Sequence, residues 1–391
     1  MKKGKALEGI RVLDLSSHLA GPFCAMQLGD LGAEVIKIEP PNGDLSRVRV
    51  VPQAKGQAPY FLCTNRNKKG MSLNFKNKEA REIFYKLVKV SDVIIENYRP
   101  GISQKLGVDY ETLKKINPRI VYASITGFGQ TGPYSTSPSF DVIAQAMGGM
   151  MHLSAIDGSP VRTAGSIGDT IPALFTSIAI LGALYYSKNT GIGQFIDVSQ
   201  VHSITACMPI IVQNYLITKE EEEGAELKFP LNTFRGVFKT SDGYVAIAAL
   251  YQFMDVLVKI VGDEIPEVIE EWSEHSALMQ QGYKNVINWL SIKTNQELDT
   301  LLSGKIPYGP VMSLSQIVSD PQAIERKMFV DVDHPLGFRY KTVSSPMNLS
   351  ETPVKMERVP PVFNQDTEEI LSNLLGYGDE EIKELKKAQV L

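Results

Sequence analysis

Cysteine and histidine are scarce in this chain of 391 residues, which has three cysteines and five histidines. Cys24, Cys63 and Cys207 lie far apart in the sequence and form no C-x-x-C pair. Neither a disulfide framework nor a zinc site is therefore predicted, and we expect a reducing compartment. The sequence also lacks H-E-x-x-H and G-x-S-x-G, the local signatures of zinc proteases and α/β serine hydrolases. We expect no metal.

An excess of charge of one sign is lacking as well. The net charge is -4 and hydrophobic residues make up 43% of the chain, which indicates a globular protein without the basic field that nucleic acids require. The N-terminal segment MKKGKALEGIRVL is basic but contains no apolar run of signal-peptide length. The apolar segment 171–186 is expected to form a helix too short to span a membrane. These features predict a cytoplasmic protein with no nucleic-acid or membrane partner.

Strand-like and helix-like segments alternate in the first third of the chain. Short apolar runs typical of buried strands occupy 9–15, 34–39, 71–75, 92–97 and 119–125. Between them, helix start and stop signals predict helices from Pro22 to Gly32 and from Asn77 to about Val90. This alternation predicts an α/β fold with a largely parallel sheet.

The second half of the chain has a different pattern. Segments 171–186 and 199–217 are apolar around most of their circumference, so we expect helices buried between layers. The polar run 219–223 is typical of an exposed linker. After it, FRGVFKT and YVAIAAL flank a Ser-Asp-Gly turn and predict a β-hairpin in a second domain. The charged tail 366–391 is predicted to form outer helices, with Asp379 as a cap.

Asp169 stands in the segment GSIGDTIPALF, where a glycine-bearing loop runs into the first of these apolar helices. Its carboxylate is therefore expected at a helix N-terminus, beside free backbone N–H groups that would help to keep it ionised. One interpretation is plain N-capping, for which aspartate is among the best residues. The other is a carboxylate nucleophile that forms a covalent acyl or phosphoryl intermediate. Spacing alone leaves both interpretations open.

The loop after the first strand, DLSSHLAGPF, contains His18 and a single glycine. A dinucleotide-binding fingerprint needs three glycines to admit the pyrophosphate, so NAD is not expected. His18 and His152 fall in loops near predicted strand ends, where α/β proteins carry their sites. Neither histidine has a convincing partner in the sequence.

Two basic clusters, NRNKKGMSLNFK and ENYRPGISQKLG, lie near predicted strand ends. Their cations are either solvated surface charges or phosphate ligands, and Tyr98 offers an apolar face for a heterocycle. The glycine-rich loop GFGQTGPY at 127–134 is typical of either a connecting turn or a flap over a reactive group. The cations concerned are Arg66, Lys68, Lys69, Lys76, Arg99 and Lys105.

Five segments occur in an order that resembles the family III CoA transferases, which include the α-methylacyl-CoA racemases. They are LEGIRVLDLSSHLAGPFCAMQLGDLGAEVIKIEPPNGD, NRNKKGMSLNF, ENYRPG, ASITGFGQTGPY and GDTIPALF. The similarity runs from about residue 6 to 215 and returns in IPYGPVMSLSQIVSDPQ and the C-terminal tail. Taken together, these segments identify the chain as a member of the CaiB/BaiF family.

The resemblance implies a covalent mechanism at Asp169. In the family, the matching aspartate attacks an acyl-CoA thioester and gives a mixed acyl-aspartyl anhydride and free CoA thiolate. The thiolate then attacks the aspartyl carbonyl to form an aspartyl-CoA thioester, and an incoming carboxylate exchanges onto it. Coenzyme A is thus a substrate, and no tightly bound cofactor is implied. Family segments that line the CoA site match His18, Leu19, Ala20, Leu73, Lys76, Asn97, Tyr98, Arg99, Lys105, Leu106 and Phe140.

The same resemblance implies the architecture. A Rossmann-like large domain that binds CoA is expected at 1–218 plus 330–391. A smaller α+β domain is expected at 228–325, with linkers at 219–227 and 326–329. The partner implied is a second copy of the chain, in a homodimer whose two ring-shaped chains interlock.

One departure from the family pattern separates the two activities of the family. The racemases pair the aspartate with a histidine directly before another aspartate, where this chain has Phe140 before Asp141. Racemisation needs an acid and a base on opposite faces of the α-carbon, and Phe140 can be neither. CoA transfer to a carboxylic acid is therefore favoured, with an α-methylacyl-CoA racemase or related thioester isomerase as the alternative. A catalytically silent acyl-CoA-binding protein ranks third.

A second departure concerns the acid. The formyl/oxalate members carry a glutamine where Leu19 stands and a run of glycines before the hairpin of the second domain. Both features are missing here. The resemblance therefore implies an acid larger or more apolar than oxalate.

Overall fold

The computed structural model describes residues 4–48, 55–221, 233–250, 252–265 and 277–391. The chain divides into two compact units, one of Met1–Glu226 with Lys327–Leu391 and the other of Leu227–Arg326. All the candidate site residues named above belong to the first unit.

Six parallel strands form the central sheet of the first unit: β1 (Arg11–Asp14), β2 (Glu34–Glu39), β3 (Lys68–Ser72), β4 (Val93–Glu96), β5 (Val121–Thr126) and β6 (Phe195–Ser199). Their spatial order is β3-β2-β1-β4-β5-β6, which is the strand order of a Rossmann fold. The predicted α/β fold with a parallel sheet is confirmed. Because the connections leave β1 and β4 in opposite directions, a crevice is expected where these two strands end.

Both faces of this sheet are covered. Leu13 of β1 pairs with Ile36 of β2 and with Ile94 of β4, and all three belong to one buried apolar cluster. Their neighbours Val12 and Val35 point to the opposite face and belong to a second cluster. Burial on both faces explains why these strands are nearly continuous apolar runs in the sequence.

Ten helices accompany these strands in the described part of residues 4–221: α1 (Ala20–Asp30), α2 (Pro59–Leu62), α3 (Lys78–Lys89), α4 (Ile102–Leu106), α5 (Tyr110–Leu113), α6 (Asp141–Met147), α7 (Met150–Leu153), α8 (Ile167–Thr190), α9 (Gln200–Ala206) and α10 (Pro209–Thr218). A 3₁₀ turn occupies Leu45–Arg47. Helices α1 and α8 pack on one sheet face, and α3 packs on the other. Helix α3 begins after Asn77, whose side chain caps the Glu79 N–H, as its sequence predicts.

The second unit has an antiparallel sheet of β7 (Phe234–Lys239), β8 (Tyr244–Ala249) and β9 (Tyr308–Pro310), with helices α11 (Gln252–Gly262), α12 (Ala277–Ile292), α13 (Asn295–Leu302), α14 (Leu314–Ser319) and α15 (Pro321–Glu325). The hairpin predicted around the Ser-Asp-Gly turn is confirmed, since β7 pairs with β8 and Phe238 faces Val245 across them. Trp289 is buried in the core of this unit.

The C-terminal segment returns to the first unit. It forms the hairpin β10 (Phe329–His334) and β11 (Phe338–Val343), then helices α16 (Thr367–Glu369) and α17 (Asp379–Lys387) with a π-helical turn at Ile370–Leu374. Ile370, Leu371 and Ile382 join the apolar cluster on the α3 side of the sheet. The tail is therefore part of the core. The N-cap of α17 is Gly378, so the cap expected at Asp379 is wrong by one residue.

Helices α8 and α10 differ from their sequence-based expectation. Helix α8 has 24 residues, and by length and composition alone it could cross a membrane, so the expectation that it is too short is wrong. Only 39% of its most apolar window is buried, and no residue of α10 is buried. Both were expected between layers, the second as one helix over 199–217. That segment instead forms α9, which has four buried residues, and the exposed α10. Helices α8 and α10 instead have apolar faces that are exposed. On α8 this face lies opposite the side that packs on α1 and β5.

Candidate active site

A cleft of about 310 Å³ opens where β1, β4 and β5 end, at the crevice that the strand order predicts. We call it the aspartate cleft because it contains Asp169. Its walls come from the loop after β1, the loop after β4, the end of β5 and the segment before α6. They are Ser17, His18, Leu19, Ala20, Tyr60, Asn97, Tyr98, Arg99, Pro100, Ile125, Thr126, Gly127, Ser135, Ser137, Ser139, Phe140, Asp169 and Gln200.

Asp169 is the third residue of α8, and the residue in the N-cap position is Ser166. The N-capping interpretation of Asp169 is therefore wrong. Oδ1 of Asp169 instead accepts a hydrogen bond of 2.6 Å from Nε2 of Gln200. Gln200 is the first residue of α9 and follows β6 directly, so the sheet fixes the position of this amide and, through it, the orientation of the carboxylate.

The environment of Asp169 changes its acidity. Burial, and after it the charge of Asp141, raise the pKa of this carboxyl to about 6, although Gln200 and Arg162 oppose the shift. These effects outweigh the expected influence of the helix N-terminus. The group is still ionised above pH 6, and an ionised carboxylate of raised pKa is a stronger nucleophile than an ordinary one.

Asp141 takes the capping role at the start of α8. Its Oδ1 accepts the Gly168 N–H at 2.8 Å and the Gln145 amide at 2.9 Å. Its Oδ2 accepts from Arg162 at 2.6 Å. A Cβ at Gly168 would lie 2.6 Å from the Asp141 carbonyl oxygen, so glycine permits the close approach. Asp141 thus joins α6 to the first turn of α8 and fixes the helix that carries Asp169.

The loop after β1 has an unusual backbone at His18, whose φ is 66°, a left-handed value that costs energy for a residue other than glycine. Asn97 holds this loop: the Ser17 N–H donates to its Oδ1 at 2.9 Å, and its Nδ2 donates to the Ser17 carbonyl at 2.8 Å. Phe140 faces His18 edge to face, with ring centroids 6.1 Å apart. Asn97 therefore both lines the cleft and ties the loop after β4 to the loop after β1.

Buried ion pairs lie beneath the same loop. Lys37 pairs with Asp44 at 2.9 Å and donates to the Ser16 carbonyl at 2.9 Å. Lys68 pairs with Asp14 at 2.8 Å, and all four of these charged side chains are buried. Burial lowers the pKa of Lys68 to about 8, although the charge of Asp14 opposes the shift.

Three of the six candidate phosphate ligands are already engaged. Lys68 is fully buried against Asp14, and Arg66 is buried against Asp30. Lys69 pairs with Glu34 and Glu369. The phosphate interpretation is therefore wrong for these three residues, because acidic side chains of the protein already neutralise their charges. Lys76, Arg99 and Lys105 are exposed and pair with no acidic residue that the structure describes.

A neighbouring cleft of about 470 Å³ shares Ser17 and Tyr98 with the aspartate cleft. Its walls are largely apolar and include Leu73, Lys76 and Leu106. The candidate CoA contacts thus divide between two adjoining clefts. Leu73, Lys76 and Leu106 line the neighbouring cleft, Tyr98 lines both, and His18, Leu19, Ala20, Asn97, Arg99 and Phe140 line the aspartate cleft.

Besides Arg66, Lys68 and Lys69, two further candidates lie outside both clefts. Lys105 is on the exposed side of α4 and lines neither. His152 is on α7, where its Nε2 lies 3.9 Å from Glu221. The sequence analysis did not predict Gln200, the capping role of Asp141, or the lining serines Ser135, Ser137 and Ser139. The position of Gln200 directly after the strand FIDVS was the available signal, because sites in parallel sheets form at carboxyl strand ends.

Known proteins resemble this chain along most of its length. The family model described as CoA-transferase family III matches residues 7–367. Succinyl-CoA:glutarate CoA-transferase of Mus musculus is 37% identical over 390 residues, which is 97% of this chain and 89% of the relative. Formyl-CoA:oxalate CoA-transferase of Streptomyces coelicolor is 34% identical over 411 residues, 99% of each chain. The crystal structure of a CAIB/BAIF family protein from Brucella suis matches with a TM-score of 0.84 at 31% identity, covering 95% of this chain and 99% of that chain.

Proposed function

Because this chain belongs to CoA-transferase family III, we propose that Asp169 is the nucleophile of its acyl-CoA:carboxylate CoA transfer. The resemblance drawn from the sequence segments is confirmed by the family match. The chain is a CoA transferase, and the comparisons do not favour the racemase alternative. One observation supports the role of Asp169 above the others: its carboxylate lines a cleft, bonded to Gln200 at 2.6 Å.

The proposed reaction has four steps. A carboxylate oxygen of Asp169 attacks the thioester carbonyl, the C–S bond breaks, and CoA leaves as a thiolate. The thiolate attacks the Asp169 carbonyl carbon and releases the donor acid, which leaves an aspartyl-CoA thioester. The acceptor carboxylate attacks that thioester and expels the thiolate again. The thiolate then attacks the acyl carbonyl, which yields the new acyl-CoA and restores the Asp169 carboxylate.

Gln200 determines which oxygen of Asp169 reacts. Its amide occupies Oδ1, and no residue that the structure describes donates to Oδ2. Oδ2 is therefore the attacking atom in this proposal. The amide is neutral, so it orients the carboxylate without the strong loss of basicity that a cationic donor would cause.

The two adjoining clefts suit the two ends of CoA. The aspartate cleft receives the thioester, and the largely apolar neighbouring cleft receives the nucleotide end, with Tyr98 between them. Lys76 and Arg99 line these clefts without an acidic partner among the described residues, so we assign them to the CoA phosphates. Lys105 is assigned there as well because it neighbours Leu106.

The Asp169→Asn variant tests the proposal. An amide has no anionic oxygen to attack a thioester, so we expect exchange of labelled acid into acyl-CoA to fall by at least about 1,000-fold. Asp157→Asn is the matched control, since Asp157 lies in an exposed turn and asparagine accepts its left-handed backbone. Circular dichroism should be unchanged in both variants.

The covalent adduct provides the second arm of this test. Wild-type protein treated with acyl-CoA and hydroxylamine should carry a hydroxamate on the peptide that contains Asp169, detected by mass spectrometry. The Asp169→Asn protein should carry none. Full exchange activity in Asp169→Asn, or an adduct on another carboxyl, would refute the assignment.

We also propose that the chain forms a homodimer, as its family resemblance implies. The observation in favour is the apolar outer face of α8, on which Ile178 is 66% and Tyr185 is 73% exposed. A second copy of the chain would remove these side chains from water.

A further inference from the structure

A run of serines faces the aspartate cleft from the segment YSTSPSF, between β5 and α6. Ser135, Ser137 and Ser139 are half-buried and line the cleft, whereas Tyr134, Thr136, Pro138 and Phe140 between and beside them are exposed. We call Ser135, Ser137 and Ser139 the serine wall. Every second residue of this segment therefore presents a hydroxyl group to the space beside Asp169.

Close packing holds the serine wall in place. Gly127 stands at the end of β5, and a Cβ there would lie only 2.2 Å from the Cβ of Ser139. The Ser135 N–H donates to the Gly132 carbonyl at 3.2 Å, and the Ser137 N–H donates to the Tyr134 carbonyl at 2.9 Å. These two backbone hydrogen bonds and the close contact at Gly127 thus fix the segment beside the cleft.

The hydroxyl groups of the serine wall have little to bond to. Among the residues that the structure describes, Ser135 and Ser137 make no side-chain hydrogen bond, and Ser139 makes only a 3.5 Å contact with the Phe140 carbonyl. A ligand that fills the cleft displaces water from these hydroxyls. Leaving such groups without a partner costs binding free energy, whereas an acceptor on the ligand recovers it.

We propose that the serine wall binds the end of the acid remote from its reacting carboxyl, and that the acid is a dicarboxylic or hydroxycarboxylic acid. This inference rests on the proposed function, because it places the reacting carboxyl at Asp169. Serine hydroxyls donate to carboxylate or hydroxyl oxygens and also accept from hydroxyls. An alkyl or aryl end has no atom that forms a hydrogen bond with these hydroxyls. The sequence analysis predicts an acid that is either larger or more apolar than oxalate. The serine wall favours a larger acid with a polar end.

Isotope exchange between an acyl-CoA and its own labelled acid tests this proposal, because donor and acceptor are then the same acid. Three pairs are compared with the full chain: glutaryl-CoA with ¹³C-glutarate, pentanoyl-CoA with ¹³C-pentanoate, and 3-phenylpropanoyl-CoA with its ¹³C-acid. Glutarate and pentanoate have equal chain length and differ only in the distal carboxyl. We expect the glutarate pair to exchange most efficiently in the wild-type chain.

The decisive variant replaces Ser135, Ser137 and Ser139 with alanine. The kcat/KM for glutarate exchange should fall about 10- to 100-fold, since hydrogen bonds from up to three serine hydroxyls to the distal carboxylate are lost. Pentanoate exchange should change by less than about threefold, because alanine removes hydroxyls that this acid does not use. Thr136→Ala is the matched control, since Thr136 points away from the cleft.

The results of these exchange measurements distinguish the acid assignment from the proposed function. An equal loss for glutarate and pentanoate would assign the serine wall to the pantetheine arm and overturn the acid assignment. Faster wild-type exchange of pentanoate or phenylpropanoate would overturn it too. An Asp169 adduct with no selectivity between acids refutes this inference alone, whereas no exchange and no adduct with any pair refutes the proposed function as well.

Discussion

The carboxyl group of Asp169 has a pKa of about 6, raised first by burial and then by the charge of Asp141. A carboxyl whose pKa is higher in the folded protein than in the unfolded chain is harder to ionise when folded. Ionisation of Asp169 therefore destabilises the fold at neutral and alkaline pH, and the effect disappears as the pH falls toward the unfolded value of 3.8. An ionised Asp169 therefore lowers the free energy of unfolding of the protein.

This balance predicts how an uncharged residue at Asp169 behaves. Asp169→Asn should unfold at higher urea concentration than wild type at pH 8, with a gain of roughly 1–2 kcal/mol after allowance for partial exposure. The gain should shrink as the pH falls below 6 and vanish only below about 3.8, where Asp169 is neutral in both the folded and the unfolded wild-type chain. Urea titrations at pH 8, 6 and 4.5 measure it.

Wild-type exchange activity should fall over the same interval, since protonation removes the attacking anion. Asp157→Asn is again the control, and its stability should follow that of wild type at every pH. A stability gain in Asp169→Asn that is equal at pH 8 and 4.5 would show that the carboxyl is not strained by ionisation.

At the scale of an element, the carboxyl end of β4 organises both clefts. Glu96, its last residue, is buried and accepts the Tyr98 N–H at 2.6 Å. The next residue, Asn97, holds Ser17 through two hydrogen bonds. Ser17 and Tyr98 are the residues that the two clefts share. The strand end therefore positions the boundary between the clefts without contacting the reacting atoms.

This arrangement predicts a binding defect when Glu96 is replaced. Glu96→Leu leaves the Tyr98 N–H without its acceptor, so KM for acyl-CoA should rise about tenfold while kcat changes less. Glu96→Gln keeps an acceptor oxygen and should behave like wild type at pH 6, because burial raises the pKa of Glu96 to about 7 and the wild-type group is then mostly neutral. Steady-state kinetics separate the two parameters. A fall in kcat with unchanged KM in Glu96→Leu would contradict the positioning role.

Local signals in the sequence predicted some elements closely and missed others. Strand β2 was predicted at 34–39 and occupies Glu34–Glu39, because its apolar run is bounded by turn residues. Strand β3 was predicted at 71–75 but occupies Lys68–Ser72. Its first two residues are lysines, which look like surface charges until Asp14 of β1, far away in the sequence, is seen to neutralise Lys68.

In the site, too, the sequence predicted individual residues but not the contacts between distant segments. The family resemblance predicted Asp169 and most of the residues near it as site residues. The structure places them in two adjoining clefts. The Gln200 bond to Asp169 joins residues from different elements, and only the packing of α9 against α8 creates it. The alternation of Ser135, Ser137 and Ser139 is visible in the sequence, but its direction toward the cleft is a property of the fold.

At the scale of the whole molecule, the apolar outer surfaces of α8 and α10 remain to be accounted for. Leu174, Ile178 and Tyr185 of α8 and Ile217 of α10 are exposed, and a water-exposed apolar face of this kind is typical of an interface. The same helix carries Asp169 at its start. Whatever covers the outer face of α8 therefore also steadies the helix on which the nucleophile stands.

A second copy of the chain is the occupant that we propose, and light scattering after size exclusion tests it. The wild-type protein should have twice the 43.2 kDa mass of one chain. Ile178→Lys combined with Tyr185→Lys should shift the population toward monomer, since each buried lysine charge opposes association. Val90→Lys, at an exposed apolar position after α3, is the control and should leave the mass unchanged.

The wild-type mass is the stricter measurement, because the double variant could also fail to fold. A wild-type protein that stays monomeric up to about 100 μM, well above the dissociation constants of stable complexes, would exclude this interface.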